Sequence, residues 1–301
     1  MQEVIIVGAG IAGLTAAIYA KRKKMDFILL GERFGGQFLE SGKINNYPAI
    51  RETGGTEFSK MFEEQLNFNQ IEPKVGEKIT KISKVDSGFK LEGKKDNYQA
   101  KTVIIATGSH PKKLGIKGEE EFANKGLTYC SICDGPLFSG KTIAVIGGGN
   151  SALEGVDFTY KIAKKIYLIN IDQKFNAHQE LIDKVASYDN VEIINEAESE
   201  EIIGDKMVSG LKYKKDGRVK KIDVEGVIVE IGRTPNTDFL EGFLKLNEKK
   251  HVVIDCQSKT SVEGVFAAGD CASGNEYQYT IAAGQGCIAL LKAARYLAGK
   301  K

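Results

Sequence analysis

The chain has 301 residues, 42% hydrophobic and 27% charged, which is enough for two compact domains that each bury a core. Its 42 basic and 40 acidic side chains leave a net charge of +2, which excludes the polycationic face of a nucleic-acid binder. No stretch reaches the roughly 20 apolar residues of a bilayer span, so no membrane partner is expected.

Residues 3–32 (EVIIVGAGIAGLTAAIYAKRKKMDFILLGE) read as strand, glycine turn, helix, strand. The first strand is a continuous β-branched run, the pattern of a parallel strand buried on both faces. Neither a charged leader nor a cleavage site precedes Val4, so no signal peptide is expected. In Gly8-Ala9-Gly10-Ile11-Ala12-Gly13, Gly8 permits the tight turn and Gly10 lets a pyrophosphate approach the backbone. Gly13 lets helix and strand pack closely, and the phosphates would sit on the free N–H groups at the helix start. Glu32 closes the next strand about 20 residues on, where an acid binds ribose hydroxyls. The glycine spacing alone is common; between a strand and a helix, with Glu32 following, it specifies a dinucleotide site.

Gly35-Gly36-Gln37 and Asn45-Asn46-Tyr47-Pro48 read as further cofactor loops, although each alone would pass for an ordinary turn. Thr102–Ala106 is a short buried strand ending in Thr107–Gly108. The basic runs Lys21-Arg22-Lys23-Lys24, Lys112–Lys113, Lys164–Lys165 and Lys214–Lys215 are singly solvated surface and together suit an acidic protein partner.

The redox chemistry sits in Cys130-Ser131-Ile132-Cys133-Asp134-Gly135. Two cysteines at this spacing can close a small disulfide, and a neighbouring group can lower one thiol's pKa. Asp134 adjoins the pair and can pass a proton to a departing thiolate if its pKa is raised. A structural zinc site needs four ligands, and no second Cys-x-x-Cys or His pair follows; the three His stand apart at 110, 178 and 251. No metal is expected. An odd total of five Cys fits a reducing cytosol, with Cys256, Cys271 and Cys287 read as small core residues.

Residues 141–172 repeat the opening pattern, with Gly147-Gly148-Gly149-Asn150-Ser151-Ala152 at the turn. Val224–Ile231 is a further strand, ending in Gly232-Arg233-Thr234-Pro235-Asn236. Val265–Ala268 leads into Gly269–Asp270, placing an acid past a strand end for a polyol hydroxyl, with a helix cap as the plainer reading. Gln278-Tyr279-Thr280 then opens an alanine-rich helix, 281–298, whose start is suited to a flavin ring's electron-rich edge. These later strands favour FAD over NAD in the first site.

The expected fold is α/β: two Rossmann-like, three-layer ββα nucleotide-binding domains, the second inserted into the first. Residues 1–113 and 241–301 form the FAD-binding domain, and residues 114–240 an inserted NAD(P)H-like domain that carries the cysteine pair.

The blocks GAGIAG, GGQ, NNYP, ATG, CSICDG, GGGNSA, GRTPN and VFAAGD, in this order, closely resemble the low-molecular-weight thioredoxin reductases along essentially the whole chain. The resemblance implies a cytoplasmic homodimer whose inserted domain swings between a pose holding the cysteines against the flavin and one exposing them to thioredoxin. It implies that Cys133 faces the flavin, that Cys130 attacks the partner disulfide, and that Asp134 donates the proton.

The pattern breaks at one place. Family members that use NADPH carry His-Arg-Arg at the end of the second domain's next strand and another Arg four residues later. Here those places hold Asn170, Ile171, Asp172 and Asn176. A 2′-phosphate requires paired cationic donors, and Asp172 would repel it, so NADPH is not the expected donor. Asp172 accepting ribose hydroxyls would favour NADH. With no nicotinamide bound, electrons would come from a protein carrier, as in the flavin-type ferredoxin-dependent thioredoxin reductases, which the chain also resembles. Ferredoxin is the donor expected first and NADH second. A ferredoxin–NADP reductase would lack the cysteine pair, and a non-catalytic flavin sensor would not need Asp134 beside it. Tyr277, near the place of an Arg in pyridine-nucleotide-using relatives, reads either as a flavin shield or as packing.

Overall fold

The computed structural model describes residues 1–41, 44–274 and 276–299. The chain forms two compact units, one from Met1–His110 and the chain from Thr234 onward, the other from Pro111–Arg233. Residues 111–113 therefore fall in the second unit and 234–240 in the first.

The first unit is built on a parallel sheet of five strands, in spatial order Lys74–Val75, Phe27–Gly31, Gln2–Val7, Asn97–Ile105 and Val265–Ala267. Val7 pairs with both Leu30 and Ile105, so the central strands end level with one another. Only the second half of Asn97–Ile105 belongs to the parallel core. Its first half pairs antiparallel with Gly88–Gly93, which pairs in turn with Ile79–Val85.

The β-branched run at the start of the chain is explained by this position. Val4 and Ile6 face one core with the helix Ile11–Arg22 and the final helix, while Ile5 and Val7 face the other with Ile82, Phe89 and Leu91. The final helix, Tyr279–Ala298, buries Ala282, Ala289 and Ala293 against Ala16, Ala17 and Ala20, which is why it is alanine-rich.

The second unit repeats the plan. Its parallel sheet runs Val191–Ile194, Lys165–Ile169, Thr142–Ile146, Gly226–Val229, Leu127–Thr128. One face carries the helices Asn150–Thr159 and Gln179–Ala186 through Leu153, Val156 and Val185. The other is covered by the antiparallel strands Glu198–Gly204, Val208–Lys215 and Arg218–Ile222, through Val208, Leu211 and Tyr213. The α/β class and the two three-layer units match the expectation.

Smaller expectations need correction. The strand expected at Val224–Ile231 is confined to Gly226–Val229. Of the three cysteines read as core, Cys271 is buried and Cys287 half-buried, but Cys256 is exposed. Asp255 turns the chain there, its carboxylate accepting the N–H groups of Gln257 (2.8 Å) and Lys259 (2.9 Å), and so lifts Cys256 to the surface.

One buried carboxylate anchors the antiparallel edge of the first unit. Glu77 accepts the N–H groups of Lys95 (3.1 Å) and Asp96 (3.2 Å) and the hydroxyl of Tyr98 (2.9 Å). Burial pushes its pKa up, but these donors outweigh burial and hold it below the ordinary carboxylate value. The anchor's contribution to stability is therefore complete above the ordinary carboxylate range and fades as pH falls through the lowered value. Glu77→Leu should cost about 2 kcal/mol at neutral pH by leaving these donors unpaired. Urea denaturation at pH 7 and again near pH 3 checks this, and the gap between variant and parent should narrow at the acid end.

Candidate active site: a dinucleotide cavity and a cystine turn

In the first unit the central strands end at one edge of the sheet, which opens into a cavity of about 900 Å³. Of the residues expected there, Gly8, Gly10, Ala12, Glu32, Gly36, Gln37, Thr107, Gly108, Gly269, Asp270 and Tyr279 line it. Gly8 has φ +120°, and a β-carbon on it would strike the carbonyl of Ala106 on the neighbouring strand's end. Gly13 lies beneath the cavity, where a β-carbon would strike the Gly8 carbonyl. Gly10 is different: nothing lies within 4 Å of where its β-carbon would point, so the space beside it is open. Gly36 crosses over this turn, its own β-carbon position 3.4 Å from the Gly10 Cα.

The helix Ile11–Arg22 begins at Gly10 with no side-chain cap and no acid in its first turn, so its leading N–H groups are available to an anion. Glu32 is exposed and pairs with Lys78 at 3.3 Å. Asp270 sits on a one-turn 3-10 segment, not at the start of the final helix, and its Oδ2 accepts the Ser109 hydroxyl at 3.5 Å. Gln37 donates through Nε2 to the Ser109 carbonyl.

Asn46, Gln278 and Thr280 do not line the cavity. Asn46 donates to Gln278 at 3.3 Å, and Thr280 is exposed. Tyr279 does line it, its hydroxyl 2.5 Å from that of Ser41. Tyr277 is not a lining residue either; its hydroxyl lies 2.9 Å from Nε2 of the buried His251.

Asn236 was not singled out from the sequence, yet it lines the cavity. It donates to the Thr107 carbonyl (2.8 Å), and its Oδ1 lies 2.9 Å from Nδ1 of His110. The signal was its place in GRTPN, but its partners are 129 and 126 residues away.

In the second unit Cys130 and Cys133 form a disulfide, with Cα atoms 5.3 Å apart. Cys130 precedes the one-turn helix Ser131–Asp134, and its sulfur accepts the Cys133 N–H at 3.2 Å. The Cys130 N–H donates to the Thr128 hydroxyl at 3.2 Å, which donates onward to Asp134 Oδ2 at 2.5 Å. Burial pushes the Asp134 pKa up, and the Thr128 hydrogen bond offsets only part of the rise. Glu230, which sequence reading passed over, accepts both the N–H (3.0 Å) and the hydroxyl (2.9 Å) of Ser131 on one oxygen.

The second glycine turn repeats the first at its opening: Gly147 has φ +147°, and a β-carbon there would strike the Glu230 carbonyl. At the end of the next strand Asn170 is fully buried, its amide donating to the carbonyls of Asp172 and Lys174 and to Asn195 Oδ1. Ile171, Asp172 and Asn176 are exposed.

The first cavity fits FAD in its chemistry: an uncapped helix start, an open face at Gly10, and acids at Glu32 and Asp270 for ribose and polyol hydroxyls. Among the described residues no cluster of His, Cys, Asp or Glu could hold a metal, and no helix is long and apolar enough to cross a membrane. Because its β-carbon would enter the cavity and meet no protein atom, Gly10→Val should fold normally and lose the cofactor. The expected outcome is an unchanged circular dichroism spectrum and melting temperature before reconstitution, with less than about a tenth of the parent's flavin absorbance after it.

A family model described as pyridine nucleotide-disulphide oxidoreductase matches residues 2–286. A protein named NADH dehydrogenase from Bacillus subtilis is 37% identical over 298 residues, covering 98% of this chain and 58% of that protein. The chain spans about three-fifths of the length of the curated relatives it matches. Among solved structures, thioredoxin reductase from Streptococcus pyogenes is 31% identical with a TM-score of 0.93, covering 99% of each chain. A ferredoxin-flavin thioredoxin reductase from Clostridium acetobutylicum is 34% identical with a TM-score of 0.55, covering 99% of this chain and 98% of that one. With its glycine turns, its cystine and a match across nearly its whole length, the chain belongs to the pyridine nucleotide-disulphide oxidoreductase family.

Proposed function

We propose that the protein is a flavin-dependent disulfide reductase that passes electrons through Cys130 and Cys133 to a thioredoxin or thioredoxin-like protein. The observation that carries this reading is a cystine flanked by a half-buried carboxyl, Asp134, in a chain that also holds an FAD-type cavity. Gly8, Gly10, Glu32 and Asp270 would hold the cofactor, which supplies a store for two electrons when bound. A homodimer in a reducing cytosol belongs to the same reading, supported by the family resemblance and by free thiols at Cys256, Cys271 and Cys287.

The outward step uses only side chains of this protein and its partner. The Cys130 thiolate attacks the partner disulfide, forming a mixed disulfide and releasing one partner thiolate. The Cys133 thiolate then attacks the Cys130 sulfur, closing the pair and releasing the second. Each departing thiolate needs a proton, and Asp134 is placed to give one because burial extends its protonated range upward. Thr128 fixes the geometry: its hydroxyl accepts from Cys130 N–H and donates to Asp134 Oδ2.

As the acid form is the useful one, turnover should fall as pH rises through the raised Asp134 pKa. Asp134→Asn should cost about a hundredfold in kcat with thioredoxin and flatten that limb of the profile. Steady-state rates between pH 5 and 9 check both points.

For the donor, reduced ferredoxin is the reading we favour. It is supported by Asn170, Ile171, Asp172 and Asn176 standing where a 2′-phosphate would need arginines, and by the likeness to the Clostridium acetobutylicum structure. NADH is the second reading, favoured by the exposed Asp172 and by the name of the Bacillus subtilis relative. Anaerobic mixing of the oxidised holoprotein with NADPH, NADH or reduced ferredoxin separates them. Ferredoxin should bleach the flavin band and NADPH should not; bleaching by NADH and not by ferredoxin moves the choice to the second reading.

A further inference from the structure

The two glycine turns are built alike, and the residue that each abuts is not. Gly8 lies against the carbonyl of Ala106, a small residue that lines the cavity; Gly147 lies against the carbonyl of Glu230. Both residues directly follow the strand that neighbours the central one. Glu230 is held in place from behind, its N–H donating to the Ile146 carbonyl at 2.8 Å. Its carboxylate then reaches the cystine turn, where one oxygen takes both donors of Ser131.

Ser131 is confined from the other side as well. It is 5% exposed, and a β-carbon on Gly155 of the adjoining helix would come within 3.0 Å of its Cβ and Oγ. The residue between Cys130 and Ile132 is thus fixed by a carboxylate on one side and a bare helix backbone on the other. A cystine needs no such help while closed. The dithiol does, because two free thiols on a loose turn are rarely within bonding distance.

We propose that Glu230 is a positioning residue for the Cys130–Cys133 pair: by holding Ser131 it keeps the open dithiol in the geometry of the closed disulfide. The proposal rests on reading this pair as the redox centre. Reduction by dithiothreitol breaks the S–S bond, puts one hydrogen on each cysteine sulfur, and oxidises the reagent to its cyclic disulfide, so the equilibrium constant reports how readily the pair closes. That equilibrium needs no electron-donor protein and no thioredoxin. A failure of the proposed function would appear in turnover, and a failure of this proposal in the equilibrium.

The experiment equilibrates the holoprotein anaerobically with dithiothreitol buffers at pH 7, then quantifies alkylated Cys130 and Cys133 by peptide mass. Glu230→Ala should weaken closure about tenfold, raising the potential by about 30 mV. Glu230→Gln should stay within about threefold of the parent, because an amide oxygen can still accept both donors. Ser131→Ala, which loses the hydroxyl bond but keeps the N–H bond, should weaken closure about threefold and carries the test if Glu230→Ala does not fold. An equilibrium unchanged in Glu230→Ala, or in Ser131→Ala where that variant carries the test, would overturn the proposal. So would a Glu230→Gln shift as large as that of Glu230→Ala, since charge and not anchorage would then be responsible.

Discussion

A missing β-carbon at the end of each central strand governs both units. At Gly8 and again at Gly147 the backbone adopts a positive φ and presses against the carbonyl at the end of the neighbouring strand. Any other residue would push these strands apart where they must end together. With the contact made, the chain turns from strand into helix within three residues, and the helix starts at the carboxyl edge of the sheet. The polar features of the first site follow from this: free N–H groups at the helix start, and the converging ends of the strands that close with Gly31, Ile105 and Ala267.

The same constraint yields two different sites because the residues beyond the strand ends differ. In the first unit they are small or neutral at the turn (Gly10, Ala106, Gly108), and a cavity results. In the second, the neighbouring strand ends in a carboxylate, Glu230, and the next strand over ends in Asn170, whose amide is spent on the backbone of its own loop. Burial raises the Glu230 pKa, Ser131 and Arg233 draw it back in part, and Glu154 adds to the rise. A carboxylate thus borders this glycine turn, and Asp172 adds an exposed acid beyond the end of the next strand.

What was legible in the sequence was whatever is local. The β-branched runs at Val4–Val7 and Ile143–Ile146, the glycine spacings, the cysteine pair and the acid Glu32 each carry their meaning within about 30 residues. Pairings across the fold left no such trace. Glu230 carries no signal within the expected strand Val224–Ile231, since its partner Ser131 lies 99 residues earlier. Asn236 was hidden for the same reason, its partners Thr107 and His110 lying 129 and 126 residues earlier. Cys256 follows the apolar run Val252–Ile254, which suggests a core position, but the turn built on Asp255 intervenes.

Two carboxyls border the cystine, and the donors around them separate their tasks. Asp134 receives a neutral hydroxyl, from Thr128, which offsets only part of the penalty of burying a charge, so its carboxyl keeps its proton to higher pH than an ordinary one. Glu230 receives a backbone N–H and a hydroxyl on one oxygen, with Arg233 nearby, so a change in its protonation would loosen two hydrogen bonds at once. A group whose bonds hold a turn in place is poorly suited to exchanging protons at every cycle, and a group that exchanges them is poorly suited to holding a turn. On the proposed function, placing the first role on the strand end and the second on the turn itself would let the proton at Asp134 move while the backbone between the sulfurs stays fixed.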